Sequence, residues 1–137
     1  MNTPVFELSL RITHPNIQPR EISTALGLDP HIAHCVGEPR KTPKGTPLEG
    51  VYPHSYWSYR LSNIGNVQLS KLIASMNRRI DDKLPFLMTL TDTGGRLEYF
   101  IGCFVPSHAG DTLDWELLQE CARLKINLSF DMYGQQA

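Results

Sequence analysis

Phe6-Glu7-Leu8-Ser9-Leu10-Arg11-Ile12-Thr13 alternates apolar and polar side chains, the period of a strand that buries one face and wets the other. His14-Pro15 stops it, because proline lacks a ladder donor and restricts the residue before it. A helix over residues 19–26 is expected next, with Pro19 at its first position and Ile22, Ala25 and Leu26 on one face. Gly27 suits its left-handed C-terminal cap. Leu28-Asp29-Pro30 is a turn signal, and residues 31–36 read as the return strand.

The other end of the chain has the same form. Residues 96–105 read as a strand ended by Pro106, residues 112–125 as a helix capped by Asp111, and residues 128–133 as a last strand. In that helix Leu117, Leu118, Cys121 and Leu124 are expected to face inward. The two β-α-β units hint at an internal duplication.

Between them, Trp57, Tyr59 and Leu61 mark a strand with an aromatic inner face. Asn66 is the expected N-cap of an amphipathic helix carrying Leu69, Leu72, Ile73, Met76 and Ile80, which Pro85 keeps from running on. Residues 86–91 read as a strand hairpinned onto 96–105 through Asp92-Thr93-Gly94-Gly95. The expected order is β-α-β-β-α-β-β-α-β. This is an α+β fold of two layers, with a mixed or antiparallel sheet of about six strands and three helices on one side, ferredoxin-like with additions.

Residues 37–54 stand apart. Gly37, Pro39, Pro43, Gly45, Pro47, Gly50 and Pro53 sit among Arg40, Lys41 and Lys44, so no long regular element fits. A loop of this length in a compact domain is usually mobile or functional.

The chain of 137 residues is long enough for one core, and 41% hydrophobic with 20% charged residues is ordinary globular composition. A single domain over residues 1–137 follows. Net charge is −1, so no global field draws nucleic acid or anionic membrane. Met1-Asn2-Thr3-Pro4 has no secretory pattern, and no apolar run approaches a bilayer span. Three scattered cysteines (Cys35, Cys103, Cys121) point to reduced thiols in a cytoplasmic protein.

The opening Phe6-x-Leu8-x-Leu10-x-Ile12, then Pro19-Arg20-Glu21-Ile22, Leu26-Gly27-Leu28-x-Pro30 and Val36-Gly37, resembles a bacterial family known as domain-of-unknown-function family 4279. Trp57-x-Tyr59-x-Leu61-Ser62 and the closing Leu128-Ser129-Phe130-Asp131-Met132-Tyr133 extend the resemblance over nearly the whole chain. It implies a small α+β protein without an assigned reaction, so it carries over no catalytic residue. The segment 40–53 has no counterpart in that pattern.

No catalytic set emerges from the residues themselves. His31, His34 and Cys35 include two zinc-ligand types, but neighbours on a strand project to opposite faces and no second ligand pair exists. No metal or cofactor is expected. Cys35 with His34 or His54 lacks an orienting third group, and neither Gly-x-Ser-x-Gly nor a phosphate-binding glycine loop occurs. Asp111, Asp114 and Glu116, near His108, sit at a helix start, where carboxylates have a structural role. Trp57 and Tyr59 share a face with Leu61, which argues for core rather than an RNA platform.

Two functional expectations remain. The first is a non-enzymatic protein-interaction module, of inhibitor or immunity type, contacting its partner through Arg40, Lys41, Lys44, Tyr52 and Tyr56. The alternative is a small-molecule binder or enzyme with a pocket between the 37–54 loop and the sheet, lined by His34, His54, Trp57 and Arg60. Pairing of two copies through an edge strand is a further option.

Overall fold

The computed structural model describes residues 5–61, 67–105 and 110–134. In chain order its elements are β1 (Val5–His14), α1 (Pro19–Leu26), β2 (Ile32–His34), β3 (Pro39–Lys41), β4 (Pro47–Val51), β5 (Ser55–Leu61) and α2 (Leu69–Ile80). A 3-10 turn (Asp81–Lys83), α3 (Leu84–Asp92), β6 (Arg96–Val105), α4 (Trp115–Arg123) and β7 (Ile126–Gly134) follow.

Five strands form one mixed sheet in the order β2-β5-β1-β6-β7, and β3 with β4 forms a separate two-stranded sheet. β1 is antiparallel to both β5 and β6, β2 is antiparallel to β5, and β7 runs parallel to β6. The path β1-α1-β2-β5-α2-β6 is therefore the ferredoxin-like one, in which each β-α-β crossover straddles an intervening strand. The additions are the β3–β4 hairpin, α3, and the α4–β7 unit. The two end units differ, since β5 lies between β1 and β2 whereas β6 and β7 are direct neighbours.

One face of the sheet carries the core. Leu8, Leu10, Ile12, Trp57, Leu97, Tyr99 and Ile101 meet Ile22 and Leu26 of α1, Ile73, Met76 and Ile80 of α2, Leu87 and Leu90 of α3, and Leu117 and Cys121 of α4. Within it, the Tyr99 hydroxyl donates to Asn77 Oδ1 at 2.6 Å, and Asn77 Nδ2 donates to Cys121 Sγ at 3.6 Å. Burying Asn77 without these partners would strand two polar groups. No helix among the described residues is long and apolar enough to cross a membrane.

Four differences from the sequence reading have physical causes. Residues 86–91 are helical rather than a sixth strand of the main sheet, so there are four α-helices instead of three. Pro85 sits in the first turn of α3, where its missing N–H costs nothing, and Leu87 and Leu90 are buried at helical spacing. Asp92 to Gly95 accordingly join a helix to a strand, not two strands. The N-cap of α4 is Asp114, whose carboxylate accepts from Leu117 N at 2.8 Å.

Asp111 has a different use. It accepts from Ser70 N at 2.9 Å and Ser70 Oγ at 3.1 Å, capping the first turn of α2, whose own N-cap residue Gln68 makes no side-chain bond. The expected cap Asn66 lies outside the described residues. Leu118, expected inward, is exposed because only Leu117 and Cys121 of α4 face the core.

His14 ties the end of β1 to the turn before β6. Its Nδ1 accepts backbone N–H groups of Asn16 at 3.1 Å and Ile17 at 3.0 Å. The proton therefore sits on Nε2, which donates to Thr93 Oγ1 at 2.7 Å. Burial holds this imidazole below its ordinary range, with Glu21 opposing. The unfolded chain then binds more protons near the ordinary histidine range than the folded one, so stability rises with pH there. It is fully present above about pH 6.5 and is lost as pH falls through the folded value. Urea midpoints should be level from about pH 7 to 8 and fall as the pH drops below about 6.5. A midpoint that climbs on acidification would contradict the neutral, doubly accepting His14.

Candidate functional site

The 37–54 segment is an ordered arm. Pro39–Lys41 and Pro47–Val51 pair antiparallel, Pro39 opposite Val51 and Lys41 opposite Pro47, with an irregularity between Pro39 and Lys41. Proline is admissible because a two-stranded ribbon consists of edges. The tip closes through Gly45 N to Thr42 O at 2.8 Å, Thr42 N to Thr46 O at 2.8 Å and Thr46 N to Thr42 Oγ1 at 3.0 Å. Gly45 has φ 90°, a left-handed conformation that glycine adopts without strain.

The root of the arm is a stack of aromatic rings. Tyr52 lies on His34 with centroids 3.5 Å apart and planes 8° from parallel, and Tyr56 covers the imidazole at 5.3 Å. Burial lowers the His34 pKa, His54 lowers it further, and Glu38 opposes both. The neutral imidazole presents its ring to both phenols while its Nδ1 stays buried without a hydrogen-bond partner among the described residues. Glu38 also accepts from Cys35 N at 2.5 Å, and Tyr52 Oη bridges the backbone N and O of Lys41, each at 3.3 Å. Backbone bonds from Gly37 N to Tyr52 O and from Tyr52 N to Glu38 O complete the root.

Every residue of β3 and β4 is exposed. Arg40 lies along the arm with Nη1 donating to Glu49 O at 3.2 Å, and Lys41 and Lys44 are open to solvent at its outer end. Leu48 and Val51 are 43% and 55% exposed, which leaves apolar area beside these cations.

The structure thus gathers Arg40, Lys41, Lys44, Tyr52, Tyr56 and His34 on one arm and its root. It does not bring Trp57 to them. Trp57 is fully buried, on the sheet face opposite Tyr56, with Nε1 donating to Ser23 Oγ of α1 at 3.0 Å. Arg60 is exposed further along β5, where its backbone N–H donates to His31 Nδ1 at 3.0 Å, and His54 is exposed at the turn into β5. The open depressions near α4 are lined by Glu116, Glu120 and their neighbours, on the far side of the sheet from the arm. Among the described residues no three His, Cys, Asp or Glu side chains converge as metal ligands would.

Sequence reasoning missed the His34 stack, in which the β2–β5 ladder sets Tyr56 opposite His34 and the chain returning from the hairpin lays Tyr52 on it. It also missed the open sheet face, where the Arg11 guanidinium lies 3.6 Å from the Phe100 ring centroid and Phe104 stacks on Tyr133 at 5.0 Å. In β1 the alternation put Arg11 on a wetted face, which carries no sign of such pairing.

Residues 4–135 match a protein family described as "Domain of unknown function (DUF4279)". No curated protein and no solved structure matches the chain significantly.

Proposed function

The chain belongs to the DUF4279 family, and from that footing we propose that it is a non-enzymatic protein-interaction module whose β3–β4 arm is the binding edge. The observation that carries this reading is an ordered hairpin with all its strand residues exposed, held at its root by the Tyr52–His34–Tyr56 stack. A segment that buries nothing yet keeps a defined shape loses little conformational freedom when a partner docks. Arg40, Lys41 and Lys44 favour an acidic partner surface, with Leu48 and Val51 supplying apolar contact. An inhibitor or immunity role is the form of this reading in which the arm occupies a site on another protein.

Cys103 and Cys121 are buried free thiols whose pKa burial raises, and Cys35 is free and half-buried. Inert thiols of this kind suit a reducing, cytoplasmic setting.

Exchanging residues 40–50 for two glycines tests the arm, because Pro39 and Val51 already face each other across the ladder. Capture of the partner from source cells should be abolished while thermal unfolding stays a single transition. Capture at wild-type level would overturn the assignment.

A further inference from the structure

The two edges of the main sheet are built differently. β2 has three residues, and Pro30 and the proline-bearing arm flank it. Short edges beside prolines resist pairing with other chains. β7, the opposite edge, runs nine residues from Ile126 to Gly134 without proline, lysine or arginine. Apart from the single charge of Asp131, none of the usual devices that blunt an edge is present in it.

The side chains around β7 are apolar and open. Phe130 and Met132 lie on the helix side, opposite Ile101 and Cys103 of β6, yet they are 49% and 65% exposed. On the other side Phe104 and Tyr133 stack while 62% and 47% exposed. α4, which packs on β7, adds Trp115 at 71% and Leu118 at 44%. Together these six expose on the order of 600 Å², most of the roughly 800 Å² that each partner contributes to a standard interface.

We propose that β7 is the contact edge for a second copy of this chain, two β7 strands pairing antiparallel about Phe130 so that two five-stranded sheets become one of ten. Phe130 is the midpoint of the strand, so a two-fold axis there pairs all nine residues. The helix side then sets Phe130 on Phe130 and Leu128 on Met132, with Trp115 and Leu118 of the two α4 helices flanking the seam. On the other side Ser129 faces Asp131 and Asn127 faces Tyr133, so the single charge of the strand never meets its like. A shift of the axis by one residue to Asp131 would oppose two carboxylates, which fixes the register against that slip. The absence of basic residues in β7 argues against an anionic surface as the occupant.

Sedimentation equilibrium of the purified full chain is the test, compared with Phe130→Lys and Met132→Lys. The wild type should have twice the 15.5 kDa chain mass at about 100 µM, and both variants should sediment as monomers with unchanged circular dichroism. A monomeric wild type at that concentration overturns the proposal, and so do variants that remain dimeric. Should a variant not fold, hydrogen exchange on the wild type decides. Protection of β7 amides that falls on dilution supports the edge contact, and protection independent of concentration refutes it.

Discussion

Trp57→Ala should destabilise the protein by about 3–5 kcal/mol, the cost of truncating a buried tryptophan. The indole is fully buried, and its strand positions face Ile12 of β1 on one side and Ala33 of β2 on the other. Its Nε1–H also fastens α1 to the sheet through Ser23 Oγ at 3.0 Å. The substitution therefore opens a cavity where three strands and a helix meet, and leaves Ser23 without its donor. Domains of this size have about 5–15 kcal/mol in total, so the variant should sit near or beyond its unfolding midpoint in modest denaturant. Trp115, 71% exposed, is a weak fluorescence reporter of burial, so far-UV circular dichroism in urea is the suitable readout. Trp57→Phe should lose about half as much, since it keeps most of the volume and forfeits the hydrogen bond. A loss below about 1 kcal/mol for the alanine variant would mean that α1 does not pack over β5 as described.

At Gly95 the obstacle is space. A Cβ there would stand 2.5 Å from Leu90 O and 3.0 Å from His14 Cδ2, where Gly95 N already donates to Leu90 O at 2.7 Å. The close neighbour is backbone at the end of α3, which cannot swing aside as a side-chain tip can. Gly95→Ala should cost about 3 kcal/mol by forcing the α3–β6 turn away from His14. Gly94 is a built-in comparison. Its φ of 97° disfavours any side chain, but the nearest contact of an added Cβ is the Pro15 ring at 3.0 Å. Gly94→Ala should therefore lose less, about 1–2 kcal/mol. Urea midpoints with unchanged m-values would measure both. A larger loss at Gly94 than at Gly95 would refute the steric account.

Much of the fold was legible because its signals are local. The alternation of Phe6 to Ile12, the stripe from Leu69 to Ile80 and the glycine cap at Gly27 each predict their element from neighbours alone. The inward placement of Trp57 was legible too, since it alternates in phase with Tyr59 and Leu61. Residues 86–91 misled because so short an apolar run fits either period. Phe86, Met88 and Leu90 alternate, while Leu84, Leu87 and Leu90 recur at helical spacing, and tertiary burial chooses the second.

The candidate site was legible only as a place. Proline and glycine marked residues 37–54 as unusual, but the ladder between β3 and β4 and the Tyr52–His34 stack depend on pairings across the turn. Asp111 shows the same limit. Its residue type announces a helix cap, and only the packed structure reveals that the helix it caps is α2.

The centre of the sheet is also the earliest of its five strands in the chain. β1 has β5 on one side and β6 on the other, so Ile12 meets Trp57 and Leu97, both distant in the chain. On a ribosome about ninety residues separate the emergence of β1 from that of β6, roughly five to twenty seconds at ordinary elongation rates. Through that interval Leu8, Leu10 and Ile12 have no completed sheet to enter. The nascent chain therefore carries these apolar side chains unpaired, and a chain released before β6 should aggregate instead of folding.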